Sequence, residues 1–158
     1  SVELYPYRKN FAAGLGSVMV AHLSVPELES NESLPSSLSK KIVTGLLKEE
    51  MGFKGLIITD ALNMKASANF DSPQEINLAA ILAGNDLLDV PLNIPETVIR
   101  FKKALETGAL TEERLDESLR KILKTTENFE AARKPKVTNP KVPKKALIKD
   151  PNNTEKII

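Results

Sequence analysis

Three short apolar runs along the chain predict β-strands. A short run of branched apolar residues between glycine, proline or polar groups is typical of a strand buried on both faces. The runs cover residues 17–22, 56–59 and 86–90. The first run ends on His22, and Asp60 follows the second. Because strands buried on both faces belong to parallel sheets, the pattern predicts a parallel sheet.

Apolar residues at helical spacing lie between and after these runs, and Ser, Thr and Pro stand where helices begin. We expect helices over residues 3–13, 36–52, 73–84, 95–107 and from 111 onward. Ser36 or Ser37, Ser72 and Thr111 are the expected caps. The expected inward-facing residues of the last two helices are Val98, Phe101, Leu105, Leu115, Leu119, Ile122 and Leu123.

The order of strand, helix, strand, helix, strand, helix and helix predicts an α/β fold with parallel strands. The chain has 158 residues, enough for one domain with a sizeable core. A complete (β/α)₈ barrel needs about 250 residues, and three strands cannot close a barrel. We therefore expect an incomplete α/β unit.

Charge and proline content separate the end of the chain from the rest. Residues 133–158 carry a net charge of +6, and the preceding residues carry −5. We predict a folded domain over residues 1–132 and a Lys/Pro-rich linker or tail over residues 133–158. An acidic body argues against nucleic acid as a partner, and no apolar run is long enough to span a membrane. The first residues do not resemble a signal peptide, and the chain begins as though it had been cut.

Asp60 is the candidate for chemistry because the carboxyl ends of parallel strands are where α/β folds build ligand sites. The same residue is also a favoured N-cap for a following helix, and the pattern alone leaves both roles open. The composition offers no zinc site, since the chain has one histidine and no cysteine. No glycine-rich phosphate cradle follows a strand, so we expect neither a metal nor a cofactor.

Residues 53–64, Phe-Lys-Gly-Leu-Ile-Ile-Thr-Asp-Ala-Leu-Asn-Met, resemble the nucleophile segment of family 3 glycoside hydrolases. In that family the Asp after the strand is the catalytic nucleophile and a Met lies four residues later, positions that Asp60 and Met64 match. Residues 3–8, 18–26, 34–39 and 83–88 resemble further motifs of the family in the same order. The pair Ala21-His22 is similar to its bacterial β-N-acetylhexosaminidase branch.

The resemblance implies that the chain is the C-terminal part of a TIM-type (β/α)₈ catalytic barrel. It implies a retaining exo-glycosidase that hydrolyses terminal β-linked N-acetylglucosamine through a covalent glycosyl-enzyme on Asp60. The substrate would be a glycan or cell-wall fragment that contains this sugar. The acid/base loop of the branch is absent from the sequence, so the N-terminal part of the barrel is an expected partner. Bacterial relatives occur in the cytoplasm and beyond the inner membrane, which leaves the compartment open.

The same resemblance places His22, Asn63 and Met64 at the sugar. Each has a plainer alternative: a buried structural histidine, an amide that ties down a turn, and a methionine that packs in the core. Asp86 is expected to be structural and not the acid/base group, because that role belongs to the absent loop.

Two other functions remain open from the sequence. One keeps the fold and nucleophile but hydrolyses a β-glucoside or β-xyloside. The other is a non-catalytic ligand-binding or phospho-acceptor module with Asp60 at the strand end, although the acidic pair and the lysine that such modules need are not evident.

Overall fold

The computed structural model describes residues 2–64 and 72–133. Three parallel strands form one sheet in the order β1 (Ser17–Val20), β2 (Leu56–Ala61) and β3 (Leu87–Asp89). The helices are α1 (Tyr5–Ala12), a 3₁₀ turn (Ser36–Leu38), a π-helix (Lys41–Glu50), α2 (Pro73–Ala83), α3 (Ile94–Glu106) and α4 (Glu112–Arg133). The predicted α/β order with parallel strands is therefore confirmed.

The chain divides into two units, residues 1–126 and 127–158. The sheet and most of the helices belong to the first unit, and residues 127–133 of the second are the end of α4. The predicted tail at 133–158 lies outside the described residues except for Arg133, and so does most of the polar stretch expected between Met64 and Asp71. The boundary at residue 132 stays a prediction. None of the helices in the described ranges is long and apolar enough to cross a membrane.

β1 is shorter and more exposed than its sequence predicts. It ends at Val20, and Val20 is its one buried residue, while 59% of Met19 is exposed. The expectation of a buried strand over residues 17–22 is therefore wrong. β1 lies at the edge of the described sheet with β2 on one side, so nothing among the described strands covers its other side.

The pairing of β2 with β3 contains an irregularity between Ile58 and Ala61, the stretch that includes Asp60. Ile58 pairs with Leu87 and Ala61 pairs with Asp89, so three steps along β2 correspond to two along β3. An extra residue in one strand bends it and changes the direction of its side chains, and such bulges are common beside active sites.

The segment after the first loop differs from the single helix that the sequence predicts. The 3₁₀ turn comes first, and the π-helix begins at Lys41. The cap is neither Ser36 nor Ser37, because the Ile42 amide donates to the Ser39 hydroxyl at 3.3 Å. The first two serine hydroxyls bond elsewhere, so the prediction of the cap residue is wrong.

α2 begins and ends where the sequence predicts, with Ser72 at the N-cap position, although the Ser72 side chain makes no capping hydrogen bond. Pro73 stands in its first turn, and Gly84 ends it with a φ of 119°, a conformation that residues with a side chain rarely adopt. A Cβ added at Gly84 would lie 2.5 Å from the Thr44 hydroxyl oxygen and 3.2 Å from Val43. Glycine here therefore supplies both the backbone angle and the space that lets α2 approach the π-helix.

The buried residues form three clusters around the sheet. The first packs β1 and β2 against the π-helix, and its members are Val20, Val43, Phe53, Ile57 and Ala83. The second contains Leu38, Leu62, Ile76 and Ala80, and the third contains Leu78, Ile81, Ala104 and Leu110. Because α2 contributes to all three, this helix is the centre of the packing.

The last two helices bury fewer apolar residues than their spacing predicts. Phe101 and Leu115 pack against the third cluster as expected. Val98, Leu119 and Leu123 are 47%, 55% and 62% exposed, so their predicted inward orientation is wrong for the described part of the chain. The predicted cap of the last helix is confirmed, since the Arg114 amide donates to the Thr111 hydroxyl at 3.2 Å.

Candidate active site

Asp60 lies at the carboxyl end of β2, within the irregular pairing and partly exposed. Its Oδ1 accepts a hydrogen bond from the Ala61 amide at 2.8 Å. Within residues 2–64 and 72–133, no ion pair involves this carboxylate. The neighbouring Thr59 is fully buried and accepts a hydrogen bond from the Asp89 amide through its hydroxyl at 2.9 Å. The strand is therefore anchored on one side of Asp60, and the carboxylate itself keeps bonding capacity for a ligand.

His22 connects the end of β1 to the end of β2. Its Nε2 lies 3.1 Å from the Ala61 carbonyl oxygen, and its Nδ1 lies 2.5 Å from the Ser37 hydroxyl. None of the hydrogen bonds of the described residues joins His22 to Asp60. The ring thus contacts the residue next to the candidate nucleophile, and its predicted contact with sugar stays a prediction.

Asn63 and Met64 lie in a turn directly after β2. The Met64 amide donates to the Ala61 carbonyl at 3.1 Å, so this oxygen accepts both the turn amide and the His22 ring. Asn63 is exposed, and Met64 is 49% exposed. The structure therefore places all four residues named from the sequence at the same end of the sheet, around Ala61.

Asp86 lies at the opposite end, just before β3, and its side chain is fully buried. It accepts hydrogen bonds from the Ile57 amide at 3.0 Å, the Ser118 hydroxyl at 2.9 Å and Lys121 at 3.1 Å. The Arg114 guanidinium nitrogen Nη1 lies 3.8 Å from Asp86 Oδ1. This carboxylate has no spare capacity for a substrate, and it joins β2 and β3 to α4.

Two side chains around Asp86 have shifted pKa values. Burial, together with the charge of Arg114, lowers the pKa of the Lys48 ammonium below 10.5. Burial raises the pKa of Glu117, but the hydrogen bonds and charges of Lys48 and Lys121 outweigh it and bring the net value below 4.5. These shifts belong to a structural ion network at the end of the sheet opposite to Asp60.

The arrangement around Asp60 suits nucleophilic chemistry better than metal chemistry. A partly exposed carboxylate with one bonded oxygen can attack a carbon centre when a substrate is held beside it. In the described part of the chain, no three His, Asp or Glu side chains come together as a metal site. A second catalytic group is needed to protonate a leaving group, and within residues 2–64 and 72–133 neither Asp86 nor another carboxylate paired with Asp60 supplies it.

Ser37 is a residue that the sequence did not assign to the site. It is fully buried, and its hydroxyl bonds the His22 ring. The sequence offers two adjacent serines, Ser36 and Ser37, and both fit a helix cap equally well. The structure separates them, because the Ser36 hydroxyl donates to the Ala21 carbonyl at 2.6 Å instead.

Comparison with known proteins places the chain in a family. The family described as "Glycosyl hydrolase family 3 N terminal domain" matches residues 1–125 of this chain. "Beta-hexosaminidase A" of Pseudoalteromonas piscicida is 32% identical over 141 residues, which cover 77% of this chain and 24% of that protein. "Beta-N-acetylglucosaminidase/beta-glucosidase" of Cellulomonas fimi is 29% identical over 125 residues, which cover 74% of this chain and 22% of that protein. The chain therefore spans about a quarter of the length of these curated relatives.

A solved structure shares the fold as well. The family 3 beta-N-acetylglucosaminidase from Paenibacillus sp. str. FPU-7 superposes with a TM-score of 0.74 at 31% identity, covering 90% of this chain and 28% of that one. The three parallel strands and their helices are part of a TIM-type α/β barrel. By sequence and by fold, the chain belongs to glycosyl hydrolase family 3.

Proposed function

We propose that this chain carries the nucleophile of a retaining exo-glycosidase that removes terminal β-linked N-acetylglucosamine. The observation that carries the proposal is the position of Asp60: at the carboxyl end of a parallel strand, in an irregular stretch of the pairing, partly exposed, and with one oxygen bonded by a single amide among the described residues. Ligand sites of (β/α)₈ barrels form at this end of the strands. The names of the relatives support the sugar, since a hexosaminidase and an N-acetylglucosaminidase are among them.

In the proposed reaction, the Asp60 carboxylate attacks the anomeric carbon and forms an ester with the sugar. The bond from that carbon to the leaving oxygen breaks, and an acid outside this chain protonates that oxygen. Water then attacks the same carbon, its proton passes to the acid/base group, and Asp60 is released. Asn63 and Met64, in the turn after β2, would contact the bound sugar.

The proposed enzyme also needs the rest of the barrel. Tyr7, Met19 and Leu23 are 53%, 59% and 60% exposed around β1. An apolar groove of about 250 Å³ runs beside them, between α1, β1 and the π-helix. Exposed apolar surface beside an unpaired strand edge is what a neighbouring barrel element would bury. We expect the N-terminal part of the barrel, which also supplies the acid/base group, to cover this surface.

Trapping the intermediate tests the nucleophile. The enzyme with its complete barrel is treated with a fluorinated N-acetylglucosaminyl fluoride, which forms the ester quickly and loses it slowly, and the labelled peptide is mapped by mass spectrometry. We expect the label on Asp60, no label in Asp60→Asn, and full labelling in the control Asp89→Asn at the end of β3. Label on any other residue of the active enzyme refutes the assignment.

A β-glucoside is the second candidate substrate, because the name of the Cellulomonas fimi relative includes both activities. Comparing kcat/KM for aryl N-acetylglucosaminide, aryl glucoside and aryl xyloside decides between the sugars. A kcat/KM that is higher for the glucoside or the xyloside would replace the proposed substrate while keeping the role of Asp60.

A further inference from the structure

We propose that Ser37 is a positioning residue that holds His22 as a neutral bridge, with the ring hydrogen on Nε2 and donated to the Ala61 carbonyl. The Ala61 carbonyl oxygen can accept a hydrogen bond but cannot donate one. Since Nε2 lies 3.1 Å from that oxygen, Nε2 must carry the hydrogen.

The other ring nitrogen is constrained by Ser37. The serine side chain is fully buried, and the His22 ring is the partner of its hydroxyl among the described residues. A buried hydroxyl hydrogen without an acceptor is costly, so it points at Nδ1, which lies 2.5 Å away. Nδ1 is then a bare acceptor. An imidazolium, or a ring with its hydrogen on Nδ1, would leave the serine hydrogen with no acceptor among the residues that the structure describes.

The buried Asn85 side chain holds the backbone of Ser37 in place. The Asn85 side chain is fully buried, and its amide donates to the Ser37 carbonyl at 2.7 Å and to the Ala80 carbonyl at 2.8 Å. The Arg114 guanidinium in turn donates to the Asn85 carbonyl at 2.5 Å. A chain of bonds therefore connects α4 to the imidazole through Ser37, and the orientation of the hydroxyl is set by packed structure.

The bridge matters because Ala61 is bonded to the proposed nucleophile. Its amide donates to Asp60 Oδ1 at 2.8 Å, and its carbonyl accepts the His22 ring. The carbonyl belongs to the peptide that starts the following turn, and it is separated from the amide that directs the carboxylate only by the φ and ψ of Ala61, so holding it limits the movement of that amide. This catalytic consequence rests on the proposed function of Asp60, whereas the state of the ring does not.

The test uses NMR of the single imidazole of the 158-residue chain, since the sequence contains one histidine. Two-bond nitrogen–proton correlations distinguish a bare ring nitrogen from one that carries hydrogen. We expect a hydrogen on Nε2 and a bare, hydrogen-bonded Nδ1. A hydrogen on Nδ1, a hydrogen on both nitrogens, or two averaged nitrogens would overturn the proposal without the need for any variant.

Variants assign the effect to Ser37. In Ser37→Ala the Nδ1 resonance loses its hydrogen-bond shift, and the Nε2 hydrogen exchanges with solvent about fivefold faster, which corresponds to about 1 kcal/mol for one neutral hydrogen bond. Ser36→Ala removes an adjacent buried hydroxyl that bonds the Ala21 carbonyl and the Leu23 amide but not the His22 ring, so it is the matched control and should leave both signals unchanged. Ser37→Thr keeps a hydroxyl and should retain slow exchange of the Nε2 hydrogen. This variant still tests the proposal if the Ser37→Ala protein does not fold.

The outcomes separate this inference from the proposed function. Unchanged ring signals in Ser37→Ala, or equal changes in Ser36→Ala, would overturn the role of Ser37 whatever the chain hydrolyses. Label on a residue other than Asp60 would overturn the nucleophile while leaving the ring signals as they are. In the enzyme with its complete barrel, we expect Ser37→Ala to lower kcat more than it changes KM, because its effect reaches the site through Ala61, the residue next to the nucleophile.

Discussion

Removing the Asp86 carboxylate is expected to destabilise the fold strongly. In Asp86→Ala the fully buried Ile57 amide loses its acceptor, and an orphaned buried donor costs about 1–3 kcal/mol. Lys121 and Arg114 lose the anion between them as well. Breaking a buried pair by removing one partner costs about 3–5 kcal/mol, and because the bonds are coupled we expect a total in that range and not their sum.

Asp86→Asn separates the charge from the hydrogen bonds. The amide keeps the size of the side chain and one acceptor oxygen, so the Ile57 amide retains a partner. The cations keep Glu117 but lose Asp86 as a counterion, and a hydrogen bond to a charged group is worth about 1.5–3 kcal/mol. We therefore expect Asp86→Asn to cost about half as much as Asp86→Ala.

Urea unfolding followed by circular dichroism measures both losses in free energy of unfolding. Asp89→Ala is the matched control: it removes a half-buried carboxylate from the other end of β3, with no side-chain hydrogen bond recorded among the described residues, and should cost less than about 1 kcal/mol. An Asp86→Ala protein that unfolds within about 1 kcal/mol of the wild type would refute the structural role of this carboxylate.

Two further predictions concern a glycine and an acid. Gly84→Ala should lower the free energy of unfolding more than Gly108→Ala does. Both glycines have a positive φ, so each substitution carries a backbone strain of about 1–2 kcal/mol. A Cβ at Gly84 would also meet Thr44, whereas Gly108 faces open space, and equal losses in urea unfolding would contradict the clash. The pKa of Glu29 lies below 4.5, chiefly because the Ser39 hydroxyl bonds its carboxylate, so its contribution to stability is present above 4.5 and lost as pH falls through the lowered value. In Ser39→Ala a carbon-detected NMR titration should show this pKa moving up toward 4.5, and an unmoved midpoint would exclude the serine as the cause.

Features that depend on neighbours in sequence could be predicted from the sequence. The turn after α2 needs a positive φ, which Gly84 supplies, and the first turn of α4 needs an acceptor, which Thr111 supplies. The strand that carries Asp60 follows from its own apolar residues. The four residues named for the site lie at one end of the sheet for the same reason, since parallel strands bring the residues after them to one edge, and their roles stay predictions.

Features that depend on distant contacts could not be predicted in this way. Ser36 and Ser37 have the same chemistry, and only the 3₁₀ turn decides which hydroxyl reaches the His22 ring. The burial of Leu119 and Leu123 was predicted from helical spacing, yet spacing shows which side of a helix is apolar and not whether another element covers it. The exposure of β1 has the same origin, because an edge strand and a central strand can have the same sequence pattern.

Asp60 and Asp86 show why the two ends of the sheet have different roles. Both oxygens of Asp86 accept hydrogen bonds, from an amide, a hydroxyl and a lysine. These bonds hold β2, β3 and α4 together. Asp60 has one oxygen bonded by its neighbouring amide, which orients the carboxylate and leaves it able to form a new bond. Substitution at Asp86 should therefore change the free energy of unfolding without removing the site of labelling. Substitution at Asp60 should remove the label and leave the unfolding midpoint nearly unchanged, because one partly exposed hydrogen bond to the next residue contributes little to the fold. A loss of stability in Asp60→Asn as large as that in Asp86→Asn would mean that both carboxylates are structural.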